Sequence, residues 1–346
     1  MKGICFSEKL NYCLTKYCNW IKQLHFDDTT IEKEVVYSIE YICFKIKEIV
    51  KNSMGGMPST AYNQLTRLIG KNIEASKSSI DLKTTLRAIN FNGSFFRMRE
   101  MDSIYGIRCK DMFHIPLTMR HSVKTHRYSY PGYPCLYLGD SIYGCWEELR
   151  RPQMNRCAVS RLYNTEKLLF LDLTIPCVEN LKDRSYLKLM PIIIASMIWV
   201  EYENADYKPE YIIPQLLMEW LLKNRYFHEN GIKKAIHGIV YHSTQINNEF
   251  GFIHSYFINY AIPVFNLSEK CPYCKKLCSL FKITDPTTND HEKLKSEYKN
   301  EMSYNAKPNE WKYNDYETSD FGNLEKRLKD ENRFPLFSIS CKGEIL

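Results

Sequence analysis

The first ninety residues carry a helical rhythm. Ile31, Val35, Ile39, Ile42, Ile46, Ile49 and Val50 recur at spacings of three and four, which lays one apolar stripe along a helix. Thr29 and Glu32 have the spacing of a capping box at its start, and Gly55-Gly56 supplies a stop. A second helix is predicted around Tyr62 to Ile73, and an Asn-Gly pair within Asn90 to Ser94 marks a turn where the pattern changes. Residues 1–93 therefore read as a helical N-terminal domain.

From Phe95 onward the pattern shortens. Runs such as CLYLG and KLLFLDL read as strands between Pro and Gly, Tyr186 to Val200 and IIPQLLMEWL as helices, and Gly238 to His242 and YFINYAIPVF as strands again. The mixture predicts an α+β core over residues 94–265. Residues 266–346 form a Cys-containing, polar extension, and the stretch from Asp285 to Asn332, rich in Asp, Glu, Lys, Asn and Tyr, suits a loose or peripheral segment better than core.

Composition changes this picture only a little. The longest strongly apolar run, Met190 to Val200, is too short to cross a bilayer, and the N-terminus MKGICFSEKLNYC has no continuous apolar segment of an export signal. A cytoplasmic protein is expected, with its dispersed cysteines as reduced thiols. The net charge of +7 favours anionic partners in general but forms no long basic run, so it selects no function. CPYCKKLC places Cys271 and Cys274 at zinc-ligand spacing with Cys278 nearby, yet no second pair completes a site, and no metal is assigned.

Candidate chemistry concentrates between Phe95 and Pro152. Arg97, Arg99 and Arg127 border aromatic segments, and guanidinium groups suit bidentate contact with phosphate. Tyr137 lies in a strand leading through Gly139, with Asp140 or Ser141 as the cap of a helix that bears Glu148. A carboxylate beside an aromatic face suits cleavage of an N-glycosidic bond, since the transition state resembles an oxocarbenium ion and the departing base needs a surface to rest on. Taken singly, each residue has an ordinary structural reading. Glu147 must project about 100° away from Glu148 around the helix. His114 and His126 read as structural or rim residues, and Trp146 as packing.

In order and chemistry these residues resemble the RES family, named for its Arg, Glu and Ser. Arg97 in FFR, Arg127 in HRYSYPG, Tyr137 in CLYLG, Glu148 eleven positions later in CWEEL, and Ser243 in HGIVYHST match its pattern over about 170 residues. The resemblance implies a fold related to ADP-ribosyltransferases and an enzyme that consumes NAD as substrate, with no separate cofactor. Such enzymes are often the toxin of a toxin and antitoxin pair. It implies catalysis by Glu148 and Arg97, and NAD binding by Arg97, Arg127, Tyr137 and Ser243. Water, phosphate or a protein acceptor could each receive the ADP-ribose. Two other readings stay open: a nucleic-acid-binding protein, drawing on charge and aromatic content but lacking a binding motif, and an inactive RES-like interaction module.

Overall fold

The computed structural model describes residues 5–24, 29–70, 80–101, 106–177, 180, 183–245, 257–265, 267, 270–289, 291–292, 316–317 and 319–346. In chain order its main elements are α1 (Phe6–Ile21), α2 (Thr29–Met54), α3 (Pro58–Ile69), β1 (Leu86–Ile89), β2 (Ser94–Glu100), β3 (Cys135–Gly139), α4 (Ile142–Glu148), β4 (Cys157–Asn164), β5 (Leu168–Leu173), α5 (Arg184–Met197), α6 (Ile212–Asn224), β6 (Tyr226–Glu229), β7 (Ile232–Ala235), β8 (Gly238–His242), β9 (Ile258–Pro263), α7 (Lys275–Leu280), β10 (Phe281–Thr284), α8 (Asp320–Lys329) and β11 (Leu336–Ser338). The α+β class expected from the sequence is the class observed. Among the described residues no helix is long and apolar enough to cross a membrane.

The chain divides into two compact units, each built from separated segments: residues 1–88, 124–131 and 169–241 form one, and residues 89–123, 132–168 and 242–346 the other. In the first unit, α2 packs against α1, α3 and α5, and α6 against α3 and α5. The predicted stripe is the reason: Val35, Ile39, Ile42, Ile46, Ile49 and Val50 are all buried. The helix stops where Gly56 takes a left-handed φ of 79°, while the amide of Met57 returns to Asn52 O at 2.9 Å. The capping box expected from Thr29 and Glu32 rests on side chains the structure does not describe, and residues 71–73 of the second expected helix lie outside the described residues. The buried Trp220 ring donates from Nε1 to Gly70 O at 2.8 Å, tying α6 to the end of α3. Strands β1, β5 and β8 lie side by side in that order, with β5 and β8 parallel.

The second unit is an antiparallel sheet in the order β9-β3-β2-β4-β10-β11. Alternation along β2 supplies two apolar faces. Phe95 meets Tyr260 and Phe281 edge-on, with ring centres 4.9 and 5.8 Å apart. Phe96 and Met98 join a different cluster with Ile142, Tyr143 and Cys145 of α4, Phe321, Leu324 and Leu328 of α8, and Phe334.

That second cluster corrects the expectation of a peripheral stretch from Asp285 to Asn332. Where described, the stretch supplies Tyr316 and three buried residues of α8 to the core; residues 293–315 lie outside the described residues. The apolar positions of α8 are too few and too closely mixed with charge for periodicity to reveal them. Its Glu325 is buried and accepts hydrogen bonds from the Ile142 amide at 2.7 Å and from the Tyr316 hydroxyl, so the C-terminal segment caps α4. Burial raises the Glu325 carboxyl above its ordinary value, against the pull of these two donors. Glu325→Ala is expected to lower stability by about 2–3 kcal/mol, because it strands two buried donors. Glu325→Gln keeps an acceptor and removes the buried charge. An acid raised by folding holds its proton more tightly in the native state, so wild-type stability relative to Glu325→Gln must fall as pH rises through the carboxylate range. Urea unfolding of the three proteins between about pH 4 and 7 measures both effects.

Candidate active site

The second unit draws four of the five RES-like residues onto connected elements. β2 and β3 share one ladder pair, Phe96 with Gly139, and then part, although both strands continue. Arg97 occupies the parting, where its Nη1 donates to Tyr137 O at 3.1 Å. Its Nε is buried and has no hydrogen-bond partner among the described residues. Its strongest charged neighbour is a second cation, Arg99, whose own guanidinium donates to Asp111 O. Burial first, and then Arg99, lower the Arg97 pKa to about 10. A desolvated, incompletely bonded cation is a ready partner for an anion.

Strand β3 turns into α4 as the sequence predicted, and the structure chooses Ser141 as the cap: its hydroxyl accepts from the Gly144 amide at 2.8 Å. Asp140 serves the turn differently. Its amide donates to Ile258 O at 3.0 Å and its Oδ1 accepts from Ile258 N at 3.2 Å, pinning the turn to β9. The turn is tight enough that a Cβ on Gly139 would lie 2.7 Å from Cys145 Sγ and 3.1 Å from Ser141 O. The two adjacent acids separate as helix geometry requires. Glu147 is buried and pairs with Arg151, Nη2 to Oε1 at 3.0 Å. Glu148, half-buried, accepts from Asn259 Nδ2 at 2.6 Å through Oε1. Asn259 was not singled out in the sequence, although an amide inside the apolar strand INYAIP was a visible signal.

Ser243 follows β8 directly and is buried. Its amide donates to Phe257 O at 2.8 Å, two residues before Asn259, and its Oγ accepts from Gln245 N at 3.1 Å in a local turn.

Arg127 belongs to the first unit, where its guanidinium donates to Ser196 O at 2.6 Å and to Ile198 O at 3.3 and 3.4 Å and stacks on Tyr211. It thus satisfies carbonyls at the C-terminal end of α5. Arg127→Ala is expected to destabilise the protein by about 2–3 kcal/mol, read as a lowered urea midpoint, because these buried carbonyls lose their donors.

His114 and Trp146 make structural contacts, and His126 pairs through its backbone. His114 Nε2 accepts from the Cys274 amide at 2.9 Å, so its proton sits on Nδ1, facing Ile115 O at 2.8 Å. Burial lowers its pKa to about 4, which leaves it neutral at physiological pH. The backbone of His126 pairs both ways with Ser129. Trp146 donates to Pro152 O at 2.8 Å and packs on Phe321.

Cys271 and Cys341 stand 3.3 Å apart as unbridged thiols, while Cys274 Sγ accepts from Phe265 N at 3.4 Å. Among the described residues no group of three or more His, Cys, Asp or Glu side chains is arranged to hold a metal ion. An apolar hollow of about 550 Å³ in the first unit is lined by residues such as Ile193, Met197 and Trp199. Its one cation, Lys9, pairs with Glu201, so the hollow offers little to a phosphate.

No family model matches the chain, and no solved structure matches it significantly. A Bacillus subtilis (strain 168) protein named "Putative toxin YopC" is 32% identical to it over 296 residues, a match that covers 78% of this chain and 63% of that protein's length.

Proposed function

We propose that this protein cleaves the nicotinamide–ribose bond of NAD and acts as a toxin. The observation that carries the reading is Arg97: a half-buried arginine whose buried Nε has no hydrogen-bond partner among the described residues and whose neighbour is a second cation, beside the strand and helix that bear Tyr137 and Glu148. In this reading Arg97 grips the diphosphate, and the RES resemblance extends that grip to Arg127. The Tyr137 ring packs against the nicotinamide, Glu148 stabilises positive charge developing on the ribose, and Ser243 positions the ribose or Arg97. The name of the Bacillus protein supports a toxin role, which implies an antitoxin as partner.

The test is nicotinamide release from NAD by the purified protein. The assay is run in plain buffer, with inorganic phosphate, and with a cell lysate, so that water, phosphate and a protein acceptor are each offered. Release in any arm, and loss of cellular NAD with growth arrest when the protein is expressed in bacteria, are the expected results. An intact NAD pool in all three arms rejects the reading.

A further inference from the structure

We infer that Asn259 is the positioning residue for Glu148, an assignment that rests on the NAD-cleaving reading above. Glu148 is the last residue of α4 and reaches its carboxylate through three rotatable bonds, so holding it in one orientation costs rotamer freedom. The helix alone does not supply that hold. Asn259 does: it is 5% exposed, lies in β9 among apolar residues, and sends Nδ2 to Glu148 Oε1 at 2.6 Å.

The ladder explains how the amide reaches the acid. Asn259 is directly opposite Gly139, so the two share a face of the sheet, and no side chain rises from the partner strand to block the path. The same face receives α4, since a Cβ on Gly139 would meet Cys145 Sγ. Asp140 locks the register by bonding to Ile258 in both directions. Asn259 is therefore held on a paired strand, while the acid it meets sits at a helix end. A buried amide in an apolar strand is costly unless it is bonded, and here its bond falls on the acid proposed to be catalytic. Orientation of a reacting group by a neighbour of this kind changes rates without contacting substrate.

The experiment is steady-state nicotinamide release by the full chain carrying Asn259→Ala or Asn259→Leu, each made alone and in a Glu148→Gln background. Asn259→Leu keeps the side-chain volume in the apolar strand and removes the donor, which covers the case in which the alanine variant fails to fold. Each single variant is expected to lower kcat about 10- to 100-fold with KM changed less than about threefold. In the Glu148→Gln background the further change at position 259 is expected to be under about twofold, because the residue acts through the acid. A wild-type kcat in the variants, a change confined to KM, or an equal loss in the Glu148→Gln background overturns the inference while leaving NAD cleavage standing. A wild-type protein that releases no nicotinamide overturns the NAD reading first, and this inference with it.

Discussion

Glu148→Ala is expected to lower nicotinamide release about 10²- to 10³-fold, the usual consequence of removing one preorganised electrostatic contact from a transition state. The fold should tolerate the change. A carboxylate at the C-terminal end of α4 opposes the helix dipole, so its removal relieves a small repulsion, while the buried Asn259 amide loses its acceptor. The two effects are opposed, and the net change in stability is expected within about 1 kcal/mol. Glu147→Ala should behave in the reverse way. That variant removes the buried acid that pairs with the partly exposed Arg151 and should lower the melting temperature, yet keep turnover in the protein that remains folded. Paired measurements of melting and NAD turnover separate the neighbours, and a Glu148→Ala protein with wild-type turnover rules out the proposed chemistry.

Arg97→Met is expected to uncouple stability from activity. The arginine is half-buried beside another cation, with Nε buried and unbonded among the described residues, so replacing it by an apolar side chain of similar length removes part of a desolvation cost. One hydrogen bond to Tyr137 O is lost in exchange. The balance predicts unchanged stability or a gain of up to about 2 kcal/mol. Activity should fall about 10²-fold or more in kcat/KM, because an arginine that grips phosphate through paired donors has no apolar substitute. A stabilised, inactive protein is the pattern of a residue kept for function at the expense of the fold. A protein that loses stability and activity in proportion would mark Arg97 as a structural residue instead.

Much of the local structure was legible in the chain. The α2 stripe, the CLYLG strand, the turn into α4 and the strand from Gly238 to His242 each follow from rules that operate over fewer than about ten residues: periodicity, capping and β-propensity. The α8 helix was not legible. Phe321, Leu324 and Leu328 are spaced as a helix face, but charge surrounds them, and only their burial against Phe96 and Tyr143 shows what they are for.

The sequence by itself determined the helical stripe of α2, the strand that turns into α4, the α+β class, and the separation of Glu147 from Glu148 around one helix, because each is set by the backbone's own period. Only the tertiary structure decided that residues 169–241 join the first 88 in one unit, that Arg97 lies where two strands part with its Nε unbonded, and that Arg127 spends hydrogen bonds on the end of α5. It also decided that an amide 111 positions away holds the acid. These are contacts between residues far apart in sequence. Their partners are chosen by which apolar faces must be buried together, and no short-range pattern along the chain records that choice.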